Sequence, residues 1–92
     1  MDFEWDEAKR LSNLEKHQID FLDMRLLFDG RLARTVANHR EEENRYQSTG
    51  VINDRFVTVI WVWRVEKIRI ISARRSRDGE KRAYRELLGG TD

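Results

Sequence analysis

Phe56-Val57-Thr58-Val59-Ile60-Trp61-Val62-Trp63 is β-branched or aromatic at every position and carries no charge. Such a run fits a central strand covered on both faces. Asn53-Asp54, just upstream, tolerates the left-handed backbone of a two-residue hairpin turn. Arg45 to Ile52 is then the antiparallel partner on one side. On the other side, Arg64-Val65-Glu66 turns the chain into Lys67–Ala73, which alternates like a half-buried strand and runs into Arg74-Arg75. Strict alternation places Ile68, Ile70 and Ser72 on one face of that strand and Arg69 and Ile71 on the other.

Upstream, Asp2-Phe3-Glu4-Trp5 alternates over a short span and reads as a first strand at or near an edge. Asp6 is a good N-cap for a helix from Glu7 to about His17, with Ala8, Leu11 and Leu14 as a thin apolar stripe. Asp20 caps a second helix, Phe21 to Phe28. Ile19 and Met24 are spaced for a hydrophobic staple, Phe21, Met24, Leu27 and Phe28 form the buried face, and Gly30 ends it. Leu32 to Ala37 is a loosely patterned strand candidate. Ser76 or Asp78 caps a last helix ending near Leu88, on which Ala83, Leu87 and Tyr84 face inward and Arg77, Lys81 and Arg85 form a cationic stripe. The order β-α-α-β-β-β-α predicts an α+β, two-layer domain, with helices on one side of a mostly antiparallel sheet. Residues 1–88 read as one domain and 89–92 as a tail.

The chain has 92 residues, enough for one modest core, and no cysteine, so neither a disulfide nor a thiolate metal site is expected. That composition fits a reducing, cytoplasmic setting. No apolar run is long enough for a membrane span, and no basic-then-hydrophobic leader stands at the N-terminus. The net charge of +1 hides an uneven distribution. Arg64 to Arg85 holds nine Lys/Arg against three Asp/Glu, whereas residues 1–30 hold four against eight. A concentrated cationic surface on a small domain points to a polyanionic partner, either nucleic acid or an acidic protein. The plainer reading is solvated charge, because 38% of the residues are charged.

Several fragments, in this order, resemble the BrnT family of bacterial toxins within the RelE-like ribonuclease superfamily. They are Phe3-Glu4-Trp5-Asp6-Glu7-Ala8-Lys9, Asn13, Lys16-His17, Ile19-Asp20-Phe21, Glu43, Arg45, Gly50 and Arg64, then Arg69-Ile70-Ile71-Ser72-Ala73-Arg74 and Tyr84. Two positions depart from the family pattern: Gln18 stands where glycine is usual, and Arg77-Asp78-Gly79 interrupts a helix-forming run. The resemblance implies a RelE-like fold and RNA cleavage that arrests translation. It also implies a cognate, DNA-binding, BrnA-like antitoxin that forms a hetero-oligomer with the toxin and joins it in repressing their operon. Operator DNA would be met only through that antitoxin.

Metal-free RNA cleavage needs a group to take the ribose 2′-OH proton, cations to stabilise charge on phosphorus, and an acid for the leaving 5′-oxygen. No cofactor is expected, and two distant histidines without paired carboxylates do not suggest a metal site. Arg74, Arg64 and Arg45 are candidates for gripping phosphate oxygens, with Arg75 beside them; this reading requires the guanidinium groups to converge in one pocket. His17 is the proton-transfer candidate, or else a side chain satisfied at the helix C-terminus. Glu43 either accepts a proton or belongs to a solvated acidic stretch, and His39 is the weaker histidine. Lys9, Arg75, Arg77, Lys81 and Arg85 are candidates for RNA binding. Tyr84 is either core or a base-stacking ring. Trp61 and Trp63 share a face and read as core. The competing class is a non-catalytic module that uses the same basic surface to dock nucleic acid or protein.

Overall fold

The structure, a computed structural model, describes residues 1–38 and 45–89. Its elements are β1 (Asp2–Glu4), α1 (Glu7–His17), α2 (Phe21–Met24) continued by a 3₁₀ turn (Arg25–Phe28), β2 (Arg34–Asn38), β3 (Arg45–Ile52), β4 (Arg55–Arg64), β5 (Lys67–Arg75) and α3 (Asp78–Leu87). The five strands form one sheet in the order β1-β5-β4-β3-β2. β1 runs parallel to β5 and the other pairs are antiparallel. The loosely patterned 32–37 stretch forms an edge strand from Arg34 on, without Leu32 and Ala33, so the order is β-α-α-β-β-β-β-α. Glu43, His39 and the acidic run at 41–43 lie outside the described residues, as do residues 90–92.

Local chemistry sets the turns and caps. Asn53 and Asp54 both have positive φ, 52° and 64°, the backbone that a two-residue hairpin demands. Val65 and Glu66 adopt the same hand at 48° and 62° without a residue suited to it. There the long paired strands on either side impose the geometry, against the steric preference of a β-branched side chain. Asp6 accepts the backbone N–H groups of Ala8 and Lys9, and Asp20 accepts that of Leu22. The second helix tightens at Arg25 instead of continuing as one α-helix to Phe28. Its 3₁₀ turn brings Leu27 over Gly50, where an added Cβ would lie 2.5 Å from Leu27 Cδ2.

Along β4, Val57, Val59 and Trp61 face the main core, which Ile19, Phe21, Met24 and Leu27 cover from the α2 region and to which Ile68, Ile70 and Ala73 contribute from β5. Trp61 stacks on Tyr46 at 4.7 Å and donates its indole N–H to Ser48 Oγ at 2.8 Å. The helices do not all share one layer. Tyr84 of α3 packs edge-on against Phe56 and Glu80 meets Thr58, positions that alternate with the core-facing Val57 and Val59. α3 therefore lies on the opposite face from α2.

Further expectations need correction. Leu11, 53% exposed, and Leu14 point to solvent; α1 instead turns Asn13 inward, because β5 presents backbone polar groups there that an apolar stripe could not satisfy. Trp63, at the strand end, is 51% exposed. Arg77, not Ser76 or Asp78, is the α3 N-cap, its N–H donating to Glu80 Oε1 at 2.8 Å, and Leu87 lies exposed in the last turn of that helix. Finally, Ile60 pairs with Ser72 and Trp61 with Ile70, leaving Ile71 as an extra residue in β5. This bulge shifts the phase, so Ala73 takes the core face and Ser72 the other.

Candidate functional site

β1 pairs only with Lys67 to Arg69, so beyond it the outer edge of β5 needs another partner. α1 supplies one. The buried side-chain amide of Asn13 accepts the Ala73 N–H at 3.2 Å and donates to the Ile19 carbonyl at 3.1 Å. One amide thus binds the strand and the segment that follows the helix, and fixes α1 against the bulge. A cleft of about 350 Å³ opens between them, lined by Lys9, Ser12, Lys16 and His17 from α1 and by Ile71 and Ser72 from the bulge. Bulges re-aim side chains next to functional sites. Among the described residues, no carboxylate lines this cleft.

His17 is the last residue of α1 and half-buried. Capping falls to Gln18, which turns into the left-handed region (φ 56°), donates its backbone N–H to Leu14 O at 2.8 Å and donates Nε2 to Glu15 O at 2.9 Å. The imidazole makes no hydrogen bond to the described residues, so the capping alternative for His17 is taken by its neighbour.

The arginines do not form the single pocket that the sequence reading required. Arg45 pairs with Val62, Arg64 with Lys67 and Arg74 with Thr58, and by alternation all three arginines belong to the same face of the sheet. Thr58 and Arg64, however, are six residues apart on β4, about 20 Å at strand rise. Arg45 and Arg64 thus lie toward one end of the sheet, near Arg69, which pairs with Glu4 at 2.9 Å. Arg74 lies toward the other end.

Arg74 is engaged there by Glu80. Its Nη1 donates to Oε1 and its Nη2 to Oε2, both at 2.8 Å, with side-chain exposures of 18% and 20%. Glu80 Oε1 also accepts the Arg77 N–H and the Thr58 hydroxyl, at 2.8 and 3.1 Å. The Arg74 guanidinium, with help from those donors, holds the Glu80 carboxyl down at about 2. Thr58 continues the network to Ser76 and Thr49 at 2.8 and 2.9 Å. Further along α3, Lys81 and Arg85 lie over the Phe56 ring, at 5.8 and 5.1 Å from its centroid, and Tyr84 is buried against the same ring.

The family model of the ribonuclease toxin BrnT, of type II toxin–antitoxin systems, matches residues 5–80. The chain belongs to the BrnT family. That span runs through α1, the cleft and β5 to Glu80 in the first turn of α3, so the cleft and the arginine fork both fall within the part that defines a BrnT toxin. Membership makes the protein a ribonuclease toxin with a cognate antitoxin as its partner. No individual curated protein matches it.

Among the residues expected to act in this BrnT chain, Lys9 and His17 both line the cleft, near opposite ends of α1. Arg74, Tyr84, Lys81 and Arg85 gather around the α3 contact, with Arg77 at its cap. Arg75 is exposed on the face opposite Arg74. Sequence reasoning assigned no role to Asn13, Ser12, Lys16, Ser72 or Glu80. Arginine is not a residue type that marks a capping box, so the role of Glu80 had no readable signal, and neither did the bulge that aims Ser72. Among the described residues, no group of three or more His, Asp or Glu side chains is arranged to hold a metal, and no helix is long and apolar enough to cross a membrane.

Proposed function

We propose that this toxin cuts RNA without a metal in the cleft between α1 and β5. The observation that carries the reading is an imidazole without a hydrogen-bond partner among the described residues, in a cleft that two lysines also line and that none of the described carboxylates lines. In the proposed reaction the ribose 2′-oxygen attacks the adjacent phosphorus, a P–O2′ bond forms and the P–O5′ bond breaks. His17 takes the 2′-OH proton, and the ammonium groups of Lys9 and Lys16 stabilise the charge that develops on the phosphoryl oxygens. Solvent or a lysine ammonium protonates the departing 5′-oxygen. Arg45, Arg64 and the stripe Arg77, Lys81 and Arg85 bind flanking phosphates, positioning the strand instead of reacting with it.

Cleavage of this kind would arrest translation in the cytoplasm. A BrnA-like antitoxin would cover the basic surface, and the resulting complex would repress the shared operon. The test is cleavage of RNA by the purified chain in excess chelator. His17→Ala should lower the rate about a hundredfold or more, the usual scale of general acid–base catalysis, without moving the melt. Full activity in that variant would place the chemistry elsewhere. If the folded wild-type chain cut no RNA at all, the non-catalytic docking reading would stand.

A further inference from the structure

Arg74 has the residue type and the strand-end location of a phosphate-gripping group, yet its chelating edge is already occupied. The two parallel N–H bonds that a guanidinium offers to phosphate are the ones it makes to Glu80. A third contact, Nη1 to the Arg75 carbonyl at 3.3 Å, holds the fork further. Both partners are four-fifths shielded from water, so a phosphate could displace Glu80 only by stranding a poorly solvated carboxylate.

Glu80 in turn belongs to three elements at once. It is the third residue of α3, it accepts the N–H of the Arg77 cap, and it receives the Thr58 hydroxyl from β4 and the Arg74 fork from β5. The next residue is Lys81, and Arg85 follows one turn later; both lie over Phe56. Where these cations stand therefore depends on where the first turn of α3 is held.

We propose that Arg74 is a positioning residue: through Glu80 it fixes α3 on the sheet, and so sets the basic stripe Arg77, Lys81 and Arg85 in register with the RNA backbone. This rests on the RNA-cleaving reading above and assigns Arg74 to substrate capture instead of bond breaking. Arg74→Lys keeps the charge but loses the fork, and Glu80→Gln keeps the shape but loses the charge.

The experiment measures kcat and KM on a short RNA for both single variants and their double variant, with a thermal melt of each. Each single change should raise KM about tenfold with kcat within about twofold of wild type, and the double should cost no more than either single, as expected of residues acting as one unit. A fall in kcat of about a hundredfold for Arg74→Lys at constant KM, with Glu80→Gln silent, would overturn the proposal and return Arg74 to the reacting phosphate. Binding of the same RNA to chains that also carry His17→Ala, followed by fluorescence anisotropy, separates the two readings. If the wild-type chain cuts nothing, the cleavage proposal fails; weaker binding in both Arg74→Lys and Glu80→Gln still upholds the positioning role, and unchanged binding in both rejects it.

Discussion

The side-chain oxygen of Asn13 accepts the backbone N–H of Ala73 at 3.2 Å, doing for the outer edge of β5 what β1 is too short to do. A helix residue thereby stands in for a neighbouring strand. Because the same amide holds the Ile19 carbonyl, the segment carrying His17 is tied at both ends. Asn13→Ala leaves a buried donor and a buried acceptor unpaired and should destabilise the fold by about 1–3 kcal/mol. A denaturant titration should show a lower midpoint at an unchanged m-value. An unshifted midpoint would mean that water replaces both bonds.

Gly50 owes its identity to contact, not to backbone freedom. A Cβ there would sit 2.5 Å from Leu27 Cδ2 and 3.4 Å from the Leu32 carbonyl oxygen, and Leu27 is buried. Gly50→Ala should cost about 1–3 kcal/mol, as overpacking usually does. Combining it with Leu27→Val should recover part of that loss, so the double variant should melt above the sum of the two single effects.

Gln18 and Val65 both occupy left-handed backbone, at φ 56° and 48°. Gln18→Gly should relieve the first and raise stability by up to about 1 kcal/mol, less the lost bond from its amide to Glu15. Val65→Asn should act in the same direction with a larger gain, since a branched Cβ is the poorest fit to that region. In a domain of this size the combined change should lift Tm by several degrees, readable in a calorimetric scan.

Acid should loosen the attachment of α3. The Glu80 carboxyl falls from its ordinary value of 4.5 to about 2 on folding, mainly through the bond to Arg74. Its contribution to stability is therefore complete above pH 4.5 and disappears as pH falls toward 2. Glu80→Gln should be less stable than wild type at neutral pH, and the gap should close over that window. Urea midpoints measured from pH 6 down to 2 would show it; a constant gap would mean that Glu80 does not titrate with folding.

The sheet was legible because long patterned runs outweigh local ambiguity. Phe56 to Trp63 could only be an interior strand, and the Asn53-Asp54 turn fixed its partner. β2 was faint because an edge strand buries little and alternates weakly. The inward face of α1 was misjudged for a physical reason: periodicity counts apolar side chains, whereas this helix docks through a polar amide that satisfies backbone. One inserted residue at Ile71 reversed the facing of Ser72, and no composition rule signals a bulge. The candidate site was half visible. His17 and Lys9 have readable chemistry, but only the fold shows that they share a cleft and that Arg74 faces away into an ion pair.

Ala73 and Arg74 are consecutive residues, yet one tethers the helix that bears His17 and the other tethers the helix that bears the cationic stripe. β5 thus works as a shared axle for the two attachments. An inhibitor that wedged the strand aside by a fraction of its width would slacken both attachments together. On the proposed reading, such a ligand would disable the toxin without entering the cleft.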